Sequence, residues 1–150
     1  VSSAASDVYK RQEILSAKNR TVVTVSHVMP IIDALKIMAA ANIGSLVVLK
    51  NDKYAGIFTE RDYARKVVLE GRGSNNTMVE EVMEVDIPQI KSTDSIEHCT
   101  LVMTEKKIRY LPIFENGILY NILSQSDIIK HTIESQKKLI EHLQDYMSLK

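Results

Sequence analysis

The amino-acid sequence predicts an α+β fold built from two successive β-α-β-β-α repeats. A shift of 65 positions superposes residues 22–62 on residues 87–127 without a gap, and seven of the 41 aligned pairs are identical. Apolar positions also agree between the two segments, as in Val25/Ile90 and Val48/Ile113. Self-similarity of this kind indicates one supersecondary unit used twice, with helices packed on small mixed sheets.

The elements of the first repeat follow from its apolar periodicity. Pro30 suits the first turn of a helix, and residues 51–52 suit a hairpin turn. In the second helix we expect Ala64, Val67 and Val68 to face inward. The predicted elements are strands 21–25, 45–49 and 54–58 and helices 31–42 and 60–70.

The second repeat follows the same order after a connector rich in Gly, Asn and Ser over 71–76. A short helical turn is predicted over 79–83, before the repeat proper. Its hairpin turn is Asn116-Gly117, and its last helix opens at Ser124. The predicted elements are strands 87–90, 111–114 and 118–123 and helices 95–107 and 126–147.

Composition excludes several classes of protein. The 19 basic and 19 acidic residues cancel, so no overall positive field exists to attract nucleic acid or an anionic membrane. The apolar runs are far too short to span a bilayer. The one cysteine, Cys99, allows no intrachain disulfide, which favours a reducing compartment. We expect a cytoplasmic protein, with an organelle as the alternative location, and neither nucleic acid nor membrane as partner.

The N-terminal dozen residues differ from the rest of the chain. They have no helical or strand period, and residues 7–12 can be encoded by a transposon-end adapter sequence. We interpret them as a non-native leader, the alternative being an ordinary frayed N-terminus. The predicted boundaries are 1–12 for the leader, 13–75 for the first repeat, 76–135 for the second repeat and 136–150 for a C-terminal helical extension.

Two motifs occur once in each repeat. The strand entries are Ile43-Gly-Ser-Leu-Val-Val48 and Ile108-Arg-Tyr-Leu-Pro-Ile113. The strand exits are Gly56-Ile-Phe-Thr-Glu-Arg-Asp62 and Asn121-Ile-Leu-Ser-Gln-Ser-Asp127. Over about residues 14–135 the chain resembles a tandem pair of CBS domains, or Bateman module, and in particular the small stand-alone two-CBS-domain proteins. The resemblance implies one module over 13–135, with its repeats related by a pseudo-two-fold axis and an adenine nucleotide bound in a cleft between them.

The resemblance implies that each Ser/Thr-x-x-Asp motif closes a nucleotide cleft. Asp62 and Asp127 would accept hydrogen bonds from ribose hydroxyls, and Thr59 and Ser124 would lie near the phosphate. A helix N-terminus suits an anion because its backbone N–H groups are unpaired and its dipole is positive there. The alternative is that both motifs are capping boxes, which need no ligand.

Three arginines are candidates for phosphate contacts. Arg61 and Arg65 lie one helical turn apart and therefore on one face. The alternative for this pair is a solvated face that pairs with Glu60 or Asp62. Arg109 precedes a strand among apolar residues, and the resemblance implies a phosphate-contacting arginine there. A guanidinium matches phosphate geometry bidentately.

The resemblance also implies an apolar wall for the base, made by Ile43, Ile108 and Pro112. Backbone groups around Ser45 and Tyr110 would read the edge of the adenine. The alternative is that these residues belong only to the core or to strand entries. The repeats also depart from the family pattern, because the second has Asn121 where the first has Gly56. Which of the two clefts binds nucleotide stays open.

Catalysis is not expected. The four histidines lack metal-binding spacing, and Cys99 aligns with Ala34 as a small buried residue rather than a nucleophile. We therefore predict a non-catalytic regulatory module without an obligatory cofactor or metal, whose regulatory ligand is AMP, ADP, ATP or NAD(H) and which signals to a partner protein. The alternative is a ligand-free dimerisation or interaction scaffold. A thioredoxin-type partner follows only by analogy with organellar relatives.

The C-terminal helix is predicted to extend beyond the repeat. After Ile133 its interrupted apolar stripe needs a further surface to cover it. A homodimer contact is favoured, because two-fold homodimers are the commonest oligomers, and packing on its own domain is the alternative.

Overall fold

The computed structural model describes residues 22–149 and divides them into two compact units, the first ending at Pro88 and the second beginning at Gln89. The predicted leader over 1–12 and the predicted strand start at Thr21 lie outside the described residues. Among the helices described here, none is both long and apolar enough to cross a bilayer.

The first unit contains a three-stranded mixed sheet and two helices. Its elements are β1 (Thr24–Ser26), α1 (Ile31–Ala41), β2 (Ser45–Lys50), β3 (Lys53–Thr59) and α2 (Glu60–Asp62, continued by Tyr63–Val68). The central strand β2 pairs parallel with β1 and antiparallel with β3. Helix α2 is α-helical at its start and π-helical thereafter.

The second unit repeats the element order of the first. Its elements are β4 (Ile90–Lys91), α3 (Ile96–Lys106), β5 (Tyr110–Glu115), β6 (Ile118–Ser124) and α4 (Gln125–Ser148). The bounds of α3, β5 and β6 are those of α1, β2 and β3 shifted by 65, which confirms the predicted repeat. The same sheet order recurs, with a register irregularity between Ile113 and Phe114 as between Val48 and Leu49.

Local sequence explains the helix ends. Pro30 is the N-cap of α1, and Ser95 caps α3 by accepting a hydrogen bond from the His98 N–H at 3.0 Å. Asn42 and Lys107 end the two helices in the left-handed conformation, with φ of 53° and 55°. Equivalent residues therefore stop equivalent helices.

The core of the first unit lies between its sheet and its helices. Cys99 of the second unit is buried as predicted, at the position equivalent to the buried Ala34. The first-unit core consists of Val25, Ile31, Ala34, Met38, Leu46, Val48, Phe58, Val67, Val79 and Val82.

The predicted inward face of α2 is wrong at two of its three positions. Val67 is buried, whereas Ala64 is exposed and Val68 is 54% exposed. The prediction assumed α-helical spacing, but the Leu69 N–H donates to the Ala64 carbonyl at 3.1 Å, five residues back. The wider π-helical turn moves Ala64 and Val68 off the buried face.

The segment that follows the connector packs on the first unit. The predicted helical turn is a 3₁₀ turn over Val79–Glu81, and Val79 and Val82 belong to the first core. Ile57 of β3 and Glu84 exchange backbone hydrogen bonds of 3.0 and 2.9 Å. The sequence assigned this segment to the second repeat, but its packing in the structure is on the first.

Candidate functional site

Both Ser/Thr-x-x-Asp motifs form the junction between a strand and a helix, and both are capping boxes. The Asp62 N–H donates to Thr59 Oγ1 at 3.1 Å, and Asp62 Oδ2 accepts from the Thr59 N–H at 2.9 Å. The Asp127 N–H donates to Ser124 Oγ, and Asp127 Oδ2 accepts from the Ser124 N–H, both at 3.0 Å. The capping interpretation is therefore confirmed for both motifs, and it leaves open whether a ligand also binds there.

Asp62 has further partners beyond its capping box. Its side chain is nearly fully buried, and Oδ2 also accepts from Thr59 Oγ1 at 3.0 Å. Oδ1 lies 3.3 Å from Lys66 Nζ, one turn along the helix. Lys66 Nζ in turn donates to Glu84 Oε1 at 2.7 Å and to the Val82 carbonyl at 3.0 Å. The motif of the first unit is thus tied to the segment that packs on β3.

The charges of this cluster perturb one another. Burial raises the pKa of Asp62, although the Thr59 hydrogen bonds and the Lys66 charge oppose the rise. The hydrogen bond from Lys66 lowers the pKa of Glu84. Burial would lower the pKa of Lys66, but its carboxylate partners raise it. Lys66 therefore holds Glu84 ionised and partly compensates the buried charge of Asp62.

The second motif has different surroundings. Asp127 is half-buried, and His131 stands at the position equivalent to Lys66. Helix α4 has 24 residues, whereas the α-helical part of α2 has three. The partial positive charge at a helix N-terminus falls off within the first turn, so this difference in length does not by itself rank the two junctions as anion sites.

The structure places Ser45 and Tyr110 directly beside the caps. Ser45 pairs with Thr59 across the first sheet, and Tyr110 pairs with Ser124 across the second. The Gln125 N–H at the start of α4 donates to the Arg109 carbonyl at 2.9 Å. The strand-entry and strand-exit motifs therefore meet within each unit.

The predicted base-contacting residues flank these junctions. Ile43 and Ile108 are half-buried just before β2 and β5, where their N–H groups donate to Met38 and Met103 carbonyls at 3.0 and 3.1 Å. Pro112 is buried within β5, two residues after Tyr110. Ile43 and Ile108 are thus partly accessible to solvent, whereas the burial of Pro112 fits a core role.

The three candidate arginines are all exposed. Arg61 lies near enough to Glu84 for its charge to lower the pKa of that carboxyl. This resembles the alternative in which Arg61 lies on a solvated face beside an acid, but the acid is Glu84 and not Glu60 or Asp62. Arg65 lies in the π-helical part of α2. The Arg109 carbonyl accepts from the Gln125 N–H at the start of α4, so the backbone of Arg109 adjoins the second junction.

Lys66 and Glu84 were not among the predicted site residues, and neither was the close approach of the Glu84 carbonyl to Gly56. The spacing of Asp62 and Lys66 is the i,i+4 spacing of helical ion pairs, so this pair could have been found. Glu84 lies 18 residues from Lys66 in sequence, and no local pattern indicates that contact. In residues 22–149 no group of three or more His, Cys, Asp or Glu side chains could hold a metal ion.

The chain is a tandem pair of similar α+β units, and in each unit a capping box joins the last strand to the last helix. A family model described as CBS domain matches residues 13–69 and 79–134. The chain belongs to the CBS-domain family, and its tandem-pair fold is as the resemblance implied.

Three similar proteins come from two bacteria and a plant. A CBS-domain protein of Burkholderia ambifaria has 42% sequence identity and a TM-score of 0.79, over 83% of this chain and 93% of that one. A CBS-domain protein of Agrobacterium tumefaciens has 32% identity and a TM-score of 0.74, over 79% and 95%. A mitochondrial CBS domain-containing protein of Arabidopsis thaliana is 31% identical over 120 residues, which is 77% of this chain but only 58% of the relative.

Paired CBS modules are generally regulatory and commonly bind adenine nucleotides. Small CBS-domain proteins are generally not catalytic. In some relatives the pair accompanies an enzyme, as in an inosine-5'-monophosphate dehydrogenase of Thermoplasma acidophilum, of which this chain spans 23%.

Proposed function

We propose that this chain is a non-catalytic regulatory module that binds an adenine nucleotide, AMP, ADP, ATP or NAD(H), and transmits the bound state to a partner protein. Family membership supports an adenine nucleotide as the ligand class. The observation that supports the proposal best is the second junction, where Arg109, Ser124 and Asp127 adjoin the N-terminus of a 24-residue helix. A cation, a helix dipole and a carboxylate at one place suit phosphate and ribose.

The second junction is the preferred site for two reasons. Arg109 provides a guanidinium where the first repeat has Gly44. Asp127 is half-buried and so more accessible than the nearly buried Asp62. We expect Arg109 to contact phosphate and Asp127 to accept from the ribose diol.

Isothermal titration with AMP, ATP and NADH tests this proposal. Arg109→Gln should weaken binding about 10- to 100-fold, because a charge-assisted hydrogen bond contributes about 1.5–3 kcal/mol. Arg65→Gln is the matched control, because it removes an equally exposed guanidinium group, from α2. It should leave the dissociation constant within about threefold of the wild-type value. Asp127→Asn should also weaken binding, with thermal melting used to separate this loss from loss of the cap.

The alternative function is a ligand-free interaction scaffold. Absence of heat with all three nucleotides, in protein that melts cooperatively, would reject the sensor in favour of the scaffold. A hexameric CBS-CP12 protein from cyanobacteria is 29% identical with a TM-score of 0.70, over 79% of this chain and 65% of that one. Association is therefore known for a similar protein, and we propose a homodimer here. The partner protein is unidentified, and a thioredoxin-type partner stays a prediction by analogy.

A further inference from the structure

Most of helix α4 is exposed to solvent. Ile128 is buried near its start, but every described residue from 132 to 149 is exposed. This is the opposite of the predicted alternative in which the extension packs on its own domain. A helix gains most of its stability in proteins from packing an apolar face, so an exposed stretch of this length indicates an unfilled contact.

Five exposed apolar residues of α4 follow a heptad pattern with Gln136 at its sixth position, whereas the exposed Leu139 and Tyr146 each lie one residue before a position of the pattern. Ile129, Ile133, Gln136, Ile140, Leu143 and Met147 recur at alternating steps of four and three residues. We call these six residues the seam. Its apolar members are 48% to 72% exposed. Steps of four and three repeat every 3.5 residues, which is the spacing that packs one helix against another in a coiled coil.

We infer that the seam is covered by the seam of a second copy of this chain, with the two α4 helices antiparallel. The pattern is self-complementary in this direction. Pairing about position 138 brings Ile133 opposite Leu143 of the second copy, and Ile129 opposite its Met147. Gln136 then lies opposite Ile140. The Ile133–Leu143 and Ile129–Met147 pairs each occur twice, once on either side of the two-fold axis of the dimer.

Charge favours the antiparallel direction over the parallel one. Residues 130–138 contain Lys130, Lys137 and Lys138 against one acid, Glu134. Residues 139–149 contain Glu141 and Asp145 and no Lys or Arg. Antiparallel pairing sets the basic half of one helix beside the acidic half of the other, whereas parallel pairing sets like beside like. The helix dipoles also favour antiparallel pairing, because the positive end of each helix then lies near the negative end of the other.

This inference deepens the homodimer part of the proposed function and does not depend on nucleotide binding. Sedimentation equilibrium of the full chain should show a concentration-dependent dimer. The double variant Ile140→Glu, Leu143→Glu places four carboxylates in the seam of a dimer, which should raise the dissociation constant at least about 100-fold. The matched control Ser135→Glu, His142→Glu adds the same charges on the outer face and should change it less than about threefold.

Disulfide trapping tests the direction of pairing. In a Cys99→Ala background, Ile133→Cys protein is mixed with Leu143→Cys protein and oxidised. A disulfide requires Cα atoms within about 7 Å of each other. Because antiparallel pairing sets position 133 of one chain opposite position 143 of the other, we expect a disulfide between the two variants. Each variant alone should cross-link far more slowly. The control pair Glu134→Cys with His142→Cys has the same sum of positions but faces outward, and it should stay uncross-linked.

Three outcomes would overturn the inference. They are a wild-type chain that is monomeric at all concentrations, a dissociation constant unmoved by the seam variant, and cross-linking of Ile133→Cys only with itself, which indicates parallel helices. Titration with nucleotide on the same samples separates the two proposals. Loss of the dimer with retained heat leaves the nucleotide proposal intact, and a cross-linked dimer without heat leaves the seam intact.

Discussion

Gly56 is the residue whose replacement best tests the packing of the first unit. It lies in β3 opposite Val48, and a Cβ at this position would lie 2.6 Å from the Glu84 carbonyl oxygen and 3.1 Å from Met83 Sδ. The Met83 side chain can move. The Glu84 carbonyl cannot move freely, because it accepts from the Ile57 N–H at 3.0 Å.

The Gly56→Ala substitution should therefore destabilise the protein by about 2–4 kcal/mol. Overpacking a filled site costs about 1–3 kcal/mol. Moving Glu84 far enough to relieve the contact weakens one or both of its backbone hydrogen bonds to Ile57, each of which contributes about 0.5–1.5 kcal/mol. The same movement lengthens the 2.7 Å contact between Lys66 and Glu84, whose contribution at a partly exposed site is small.

Urea denaturation followed by circular dichroism measures this effect. The matched control is Asn121→Ala, because Asn121 occupies the equivalent position of β6 opposite Ile113 and already has a side chain. It loses one hydrogen bond, from the Ile122 N–H to Asn121 Oδ1, and should cost less than about 1 kcal/mol. A Gly56→Ala protein within about 0.5 kcal/mol of wild type would refute the packing argument.

Two further predictions concern the cluster around Lys66. Because Asp62 is buried and accepts from Thr59, Asp62→Ala should cost about 2–3 kcal/mol in urea denaturation, against about 1 kcal/mol for the half-buried Asp127→Ala; equal losses would contradict this reasoning. Because Lys66 lowers the pKa of Glu84 below 4.5, the stabilisation by Glu84 is complete above that pH and lost as pH falls through the lowered pKa. The stability difference between wild type and Glu84→Gln should therefore shrink as pH falls below 4.5, and a constant difference would contradict the ion pair.

Much of the fold could be predicted because its signals are local. The residues that begin and end the first helices lie at or beside their termini, as with Pro30 and Ser95. The capping boxes could be read from two residues three positions apart. The repeat then doubled every observation, so that a weak pattern in one copy was supported by the other.

The remainder depended on contacts that sequence spacing does not encode. The inward face of α2 was mispredicted because a π-helical turn replaces the α-helical one, and nothing in the local sequence indicates that change. Glu84 reaches Lys66 only because residues 79–84 fold back onto β3. The necessity of glycine at position 56 became clear only with the Glu84 carbonyl beside it.

The two units share a backbone but differ in what their motifs contact. In the first, Gly56 admits the Glu84 carbonyl, and Lys66 joins Asp62 to that same segment. In the second, Asn121 and His131 replace these two residues. We therefore expect the Asp62 motif to stabilise the packing of its own unit whether or not a ligand binds.

A nucleotide at the first junction would have to break part of the contact between Lys66 and Asp62, and the lost stability would be subtracted from its affinity. At the second junction the carboxylate is more accessible, and the backbone of Arg109 adjoins the start of α4. We therefore propose that the two junctions differ in affinity, and that the difference comes from three equivalent pairs of positions, Gly44/Arg109, Gly56/Asn121 and Lys66/His131. Exchange of these pairs, rather than of the shared Ser/Thr-x-x-Asp motif, is what would move the preferred site from one repeat to the other.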